Sequence, residues 1–348
     1  MERKDVSALY LGQAFERFEH QANTAPGIAN NFGFAKNIPS VRVDTVSSSG
    51  GSALRQAVLG ILSHEYDLVV CGGVEKMTTV ETPDALEIIS MAADRAFEQW
   101  NGATLPALNA LAAREHMRKF GTTEEQMALV AVKNHDNAFE NRKAYLHKHI
   151  TANDVLSSRK VSTPLKLLDC SPICDGASCV ALCSPEIANR FTETPIDIVG
   201  SAEASDCDFV FRNELTGFAT TRIATKKAFE KARIGVKDLD FAELHDAFTI
   251  NEIIAYEDVG LCDKGEGGKL IEEGETTING STPVNPSGGL KAKGHPVGSS
   301  GVGQAYEVFS QFTGRAEPSR KVKNAKVALT HSMGGAGVTA QVHIFRAR

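Results

Sequence analysis

A single tryptophan in 348 residues, no surplus of basic charge and no long apolar run remove several classes of function at once. One Trp forms no platform for stacked bases, and a formal net charge of −6 supplies no basic face for nucleic acid. Binding an anionic cofactor would need only a local cluster of Lys and Arg, which that net charge allows. No stretch approaches the roughly 18–20 apolar residues of a membrane span, so no transmembrane segment is expected. Disulfide modules are missing too. The seven cysteines are odd in number and follow no module rhythm, which fits a soluble reducing compartment such as the mitochondrial matrix, the peroxisome or the cytosol. The opening MERKDVSALYLG lacks the layout of a signal or transit peptide, and the closing HIFRAR is not a peroxisomal tripeptide of the SKL type.

Four of the cysteines, Cys170, Cys174, Cys179 and Cys183, fall close together, at gaps of CxxxC, CxxxxC and CxxxC. No His follows at finger spacing, so no metal is expected. The stretch SCVALC reads instead as a buried strand, with Cys179 and Cys183 on one face. Hydrophobic content of 42% and charged content of 23% are those of an ordinary globular protein of about two domains.

Strands and helices alternate along the chain. SVRVDTV (40–46) predicts a strand, SALRQAVLGILSHE a helix and DLVVCGG (67–73) a buried strand. Between about Thr78 and Ser162 the composition shifts to helical stretches such as ALNALAAREHMRKFG and TEEQMALVAVKNHDNAFENR. The strand pattern resumes with DGASCVALCS and continues through IDIVGSAEA, DLDFAELHDAF, AKVALTHSMGG and VTAQVHIF. Two segments are weak copies of each other. Ser47–Gly73 and Gly298–Gly335 both run from a glycine turn through a helix to an apolar strand that ends in paired glycines, which predicts a duplicated α/β unit.

The richest stretch is Asn285 to Gly301, NPSGGLKAKGHPVGSSG, in which His295 stands between Gly294 and Pro296. Glycines let a backbone approach a ligand closely, and a histidine held this way can be presented from a loop. Four loops could converge on one site beyond the strand ends: SSSG (47–50), HDAF (245–248), GHP (294–296) and HSMGG (331–335). Together with GGVEKM, REHMRKFGT, DGA and ELHDAFTINEIIAYEDVGLC, they resemble the thiolase superfamily, and within it the sterol-carrier-protein branch.

The resemblance implies an α/β thiolase fold, five-layered αβαβα from two similar halves. Residues 1–77 and 163–192 would form the N-terminal half, 78–162 a helical loop domain inserted over the site, and 193–348 the C-terminal half. The first strand and helices of the family would be absent before Asp5. It also implies a coenzyme A thioester as substrate or ligand, with no covalently bound cofactor. Basic residues between Arg114 and Lys160 are the pool for the CoA phosphates. Ser47 matches the nucleophilic cysteine, His295 its activating partner and His245 an oxyanion donor. The backbone N–H groups of Ser47 and Gly334 match a second oxyanion hole. Ser332, Gly294, Asp246 and Phe248 would lie against the substrate. Family dimers pair the strand before the nucleophile. Here Arg42 and Asp44 share one face of that strand, so a homodimer and a monomer are both open.

The departures matter as much as the matches. Both thiols of the family's cycle are missing: Ser47 stands for the nucleophile, Ser332 for the second cysteine, and Ala247 for the acid/base cysteine of the sterol-carrier branch. A helix terminus and a nearby cation can bring a thiol from about 8.5 to roughly 3.5–7.5. The helix term, about 0.3–2 kcal/mol, cannot ionise a serine. The resemblance therefore leaves three readings: altered thioester chemistry such as decarboxylation of malonyl-CoA or a β-keto acid thioester, a non-catalytic acyl-CoA binder, or a pseudoenzyme partner subunit.

Overall fold

The computed structural model describes residues 2–34 and 37–348. The chain begins with β1 (Ala8–Gly12), α1 (Thr24–Asn31), β2 (Ser40–Val43), α2 (Ser49–Leu62) and β3 (Leu68–Glu75). A helical stretch follows, α3 (Thr82–Ser90), α4 (Leu105–Phe120), α5 (Glu124–Phe139) and α6 (Ala152–Ser157), then the short pair β4 (Lys160–Ser162) and β5 (Leu165–Lys166). After β6 (Gly176–Cys183) come β7 (Ile196–Ser205), α7 (Ala219–Ala232), β8 (Phe241–Glu243), α8 (Thr249–Val259), α9 (Gly267–Glu272), α10 (Ser300–Phe312), β9 (Val327–Gly334) and β10 (Thr339–Ala347).

Local sequence explains the boundaries. At the start of α5, Thr123 and Gln126 form a reciprocal capping box, each side chain accepting the other's main-chain N–H. The preceding α4 stops at Gly121 with φ 77°, a conformation that costs a glycine little. The strand expected over 40–46 ends at Val43, because Asp44 accepts the N–H of Val46 at 3.0 Å and turns the chain. The strand expected through HDAF is likewise confined to Phe241–Glu243.

Two four-stranded sheets result, ordered β2-β1-β3-β6 and β7-β10-β9-β8. Between them lie α2 and α10, whose Ala53, Leu54, Ala57, Val302, Ala305 and Val308 meet Val69 and Cys71 of one sheet and Ala328 and Phe345 of the other. The outer face of the first sheet packs on α1 through Ala25 and Ala29. The outer face of the second packs on α7 and α8. The layering is αβαβα, the thiolase fold.

At about 25 cal/mol per Å² of apolar surface, these interleaved layers supply most of the driving force. They do so by small residues that let the elements approach. A Cβ on Gly50 would lie 2.8 Å from the Gly298 carbonyl oxygen and 2.9 Å from Val302 N, so α2 and α10 cross with their first turns in backbone contact.

One expectation fails. Cys179 is exposed, whereas Cys71 on the neighbouring strand is fully buried. β6 closes its sheet, and its outward face (Ala177, Cys179 and Ala181) is exposed, so an alternating strand pattern did not mean two covered faces.

Candidate active site

The turn between β2 and α2 carries Ser47. Val46 ahead of it has φ 57°, an outlier for a β-branched residue. Side chains hold the strain: besides the Asp44 bond, Ser48 Oγ donates to the Thr45 carbonyl at 2.7 Å and Ser49 Oγ to the Val46 carbonyl at 2.6 Å. Ser47 is thereby set, buried, just before the first turn of α2. Gly334, at the end of β9, closes on this turn. Any Cβ there would fall inside contact distance of the Thr45 carbonyl and Thr339 Oγ1, and 2.8 Å from Ser48 Oγ. Ser332 is buried two residues earlier, with its hydroxyl against Gly51 of α2.

His245 follows β8. Its Nδ1 accepts the N–H of Met333 at 3.3 Å, which leaves the ring proton on Nε2. Its own main-chain N–H donates to His331 Nδ1 at 3.4 Å, and His331 Nε2 lies 3.0 Å from Thr221 Oγ1. Asn285 secures the same segment by accepting the Leu244 N–H at 2.8 Å.

His295 stands 5.3 Å from His245 between ring centroids, with the planes nearly perpendicular. Gly294 before it has φ 107° and lies against Cys174 Sγ. The Ser300 hydroxyl is 2.7 Å from His295 Nδ1 and 3.1 Å from the Pro296 carbonyl. That carbonyl already takes the N–H groups of Ser299 and Ser300. The Ser300 hydroxyl thus joins the His295 ring to the main chain of its own loop. The loop is pinned from beneath by Glu75, whose carboxyl accepts the N–H of Gly298 at 3.0 Å, Ala14 at 2.9 Å and Phe15 at 3.2 Å.

Burial keeps all three imidazoles neutral. His295 is pushed down to about 3 by burial and then by Lys293, and His331 to about 4 by burial. His245 is lowered far below 6.5 by burial, then by His295 and His331. Burial acts oppositely on the carboxyls, pushing Glu75 up to about 7 against the pull of its three amide donors. Two neutral imidazoles at this spacing, with the His245 N–H on Nε2, can donate to a developing oxyanion.

Asp246 and Phe248, grouped with the substrate contacts from sequence, are turned into the protein. The Asp246 carboxylate accepts the N–H of Leu290 at 2.6 Å and of Lys291 at 3.1 Å, and Asn134 Nδ2 at 2.7 Å. Phe248 packs in the main core beside α8. Around Asp246 lies a buried polar network. Lys133 pairs with Glu252, and Asn134 and Asn285 donate to the same carboxylate at 2.7 and 2.6 Å. Lys133 and Asn137 of α5, with Asn141 just past its end, form one stripe and donate in turn to the main-chain carbonyls of Val284, Asn285 and Ser287. This stripe ties the helical stretch to the glycine-rich loop.

The contacts among Gly334, Met333, His245 and His295 bring the four loops together. A cleft of about 240 Å³ adjoins the Ser47 turn, lined by Thr45, Val46, Met91, Ala92, Gly335 and Val338. Sequence reasoning missed His331, Ser300 and Glu75. His331 was visible in HSMGG, two residues before Met333, and Ser300 five residues after His295. Glu75 carried no signal beyond its motif GGVEKM.

Comparison with known proteins bears on the family and the fold. Residues 1–186 match the model of the thiolase N-terminal domain and residues 202–347 that of the thiolase C-terminal domain-like family. An acetyl-CoA acetyltransferase of Methanothermobacter thermautotrophicus is 44% identical over 347 residues, covering 99% of this chain and 90% of that protein. Bovine sterol carrier protein 2 is 35% identical over 318 residues, 86% of this chain and 58% of its own length. Among solved structures, the Ltp2-ChsH2(DUF35) aldolase superposes with a TM-score of 0.84 over 100% of this chain and 88% of its own, at 23% identity, a likeness of fold.

Proposed function

Because this chain belongs to the thiolase family, we propose that it binds a coenzyme A thioester and stabilises a thioester oxyanion with no covalent intermediate. Ser47 takes the place of the family's nucleophilic cysteine, and Ser332 and Ala247 take the places of its second thiol. The observation that carries this reading is the pair of buried rings 5.3 Å apart, of which His245 accepts the Met333 N–H at Nδ1 and so offers its Nε2–H to an oxyanion. A neutral His295 near 3 is too weak a base to ionise a serine hydroxyl.

Decarboxylation of malonyl-CoA, or of another CoA thioester with a free carboxylate on the carbon next to the thioester carbonyl, suits such a site. The bond to the carboxylate breaks, carbon dioxide leaves, and the electron pair moves onto the thioester oxygen as an enolate, which then takes a proton from water at carbon. His245 and His295 hold that oxygen, with the N–H groups of Ser47 and Gly334 as a second set of donors. The cleft beside Val46 and Gly334, which neither histidine lines, is taken as the place of the acyl chain. We assign residues 78–162 to the loop domain that covers the CoA. Ser332 and Gly294 border the thioester, while Asp246 and Phe248 position the histidine loop. The free edge of β2, with Val41 exposed, is taken as the homodimer edge. Arg42 meets Glu16 at 3.1 Å and Asp44 at 3.9 Å within its own chain, while its Nη1 has no hydrogen-bond partner. Light scattering after size exclusion tests that point.

Incubation with malonyl-, acetoacetyl- and acetyl-CoA, following product and binding together, tests the chemistry. One oxyanion donor is worth roughly 10²–10³ in rate, so His295→Ala should lower turnover by about that factor while Ser47→Ala retains it. Turnover abolished by Ser47→Ala would restore a covalent route. An unchanged rate in His295→Ala would remove the oxyanion reading. Tight binding without product would make the protein an acyl-CoA binder.

A further inference from the structure

Beneath the Ser47 turn runs a row of hydroxyls. Thr339 begins β10, pairs across the strands with Gly334, and lines the cleft together with Thr45. Its Oγ1 lies 2.8 Å from Ser48 Oγ, and Ser48 Oγ lies 3.0 Å from Thr45 Oγ1. Thr45 Oγ1 is in turn 2.8 Å from Ser52 Oγ, in the first turn of α2. The Ser52 hydroxyl donates to Glu203 Oε1 of β7 at 3.3 Å. Four hydroxyls thus join the cleft to one carboxylate without a gap.

The middle of the row and its ends have different surroundings. Ser48 and Ser52 are buried, whereas Thr339 is half-buried at the cleft and the Glu203 side chain is 28% exposed. Gln341 Nε2 donates to the same Glu203 oxygen at 3.1 Å, and Arg55 Nε lies 3.8 Å from the other, so the carboxylate is held at the end of the row. A hydroxyl both donates and accepts, so each member can take a proton from one neighbour and give one to the next. Ser48 also reaches the Thr45 carbonyl at 2.7 Å, and rotation of its hydrogen between that carbonyl and Thr45 Oγ1 opens and closes the row. Satisfying buried hydroxyls requires neither a cleft at one end nor a solvent-touching acid at the other.

We propose that Thr339, Ser48, Thr45, Ser52 and Glu203 form a proton relay serving the carbon next to the carbonyl of a CoA thioester in the cleft. The inference rests on the thioester reading above, and it supplies the enolate with a proton where Ala247 offers none. The enolate carbon takes the Thr339 proton, and the electron pair on the thioester oxygen returns to form the C–H bond. The Thr339 oxygen takes the proton of Ser48, Ser48 that of Thr45, Thr45 that of Ser52, and Ser52 that of protonated Glu203. Water then reloads the Glu203 carboxylate. In the reverse direction the relay carries a methyl proton of acetyl-CoA to Glu203, and the pair left by the C–H bond moves onto the thioester oxygen. Thr339 touches the substrate, and the other four act through it.

The test incubates the full chain with acetyl-CoA in D₂O and follows loss of the methyl proton signal by NMR, beside product formation from malonyl-CoA. The wild type should exchange the methyl protons. Positioned acid–base groups contribute about 10²–10⁴ in rate, so Ser52→Ala should slow exchange about 10²-fold or more with KM unchanged. Ser52→Thr keeps the hydroxyl and should restore most of the rate. Glu203→Gln, at a partly exposed position, should lose as much as Ser52→Ala, and the double variant should be no slower than either, since one break already interrupts the row. Exchange by Ser52→Ala at the wild-type rate, or losses that multiply in the double variant, would overturn the relay. Product from malonyl-CoA with no exchange by the wild type would also overturn it and leave the thioester reading standing. A wild type that neither exchanges nor forms product would overturn both.

Discussion

Glu75 is the sharpest place to test the physical reasoning, because its carboxyl accepts three main-chain N–H groups and yet is pushed up to about 7. Replacing it by Gln keeps the shape and removes the titration. One amide oxygen can still take the N–H groups of Ala14 and Gly298, but the NH₂ then faces the N–H of Phe15. An unsatisfied buried donor costs about 1–3 kcal/mol, which is the loss expected near pH 5. The pH dependence runs the other way. With a folded value near 7 and an ordinary value of 4.5, the native protein holds a proton that the unfolded chain has released. Wild-type stability from this group is therefore fully present below pH 4.5 and declines as pH rises toward 7. At ~1.4 kcal/mol per pH unit, the wild type should lose roughly 2–3 kcal/mol relative to Glu75→Gln between about pH 5 and 8. The variant would thus draw level or become the more stable protein. Urea denaturation of both proteins at matched ionic strength measures the difference, and titrations common to both cancel. A difference that stays flat, or that grows in favour of the wild type with rising pH, would refute the argument and show Glu75 ionised throughout.

Three further perturbations follow from the same geometry. Lys133→Met leaves Glu252 buried without its cation and should cost about 3–5 kcal/mol, whereas adding Glu252→Leu should recover much of that loss; paired denaturation curves decide it. Gly334→Ala forces a methyl group into the Thr45 carbonyl and against the Thr339 and Ser48 hydroxyls, so a loss of about 2–4 kcal/mol and a lower melting temperature are expected. His331→Ala strips the acceptor from the His245 N–H and should cost about 1–3 kcal/mol in denaturation, with faster amide exchange at His245.

The depth to which the fold could be read varied with the kind of signal. Period located α2 and α5, which bury one regular face, and apolar runs between turn residues located β3 and β10, which are buried on both faces. The resemblance carried the layering and the four converging loops. Side-chain direction was harder. Asp246 sits inside a ligand-like motif, yet its carboxylate is spent on the Leu290 and Lys291 amides, a partnership set by a loop forty-four residues away. Exposure of Cys179 was equally hidden, since alternation along a strand states which residues share a face and not whether anything lies on it. Glu75 acts through main-chain groups, which leave no mark on residue type, and Ser300 through a single hydroxyl against the His295 ring.

The stripe of Lys133, Asn137 and Asn141 has a consequence for how the molecule comes apart. It fastens α5 to the carbonyls of residues 284–287 while Lys133 and Asn134 clasp Glu252 of α8. Separating them would strand a buried cation and carboxylate together, so the helical stretch cannot lift away alone as a loose flap. In native-state hydrogen exchange, α5, α8 and the 284–293 segment should open as one cooperative unit, at a free energy well above that of α3.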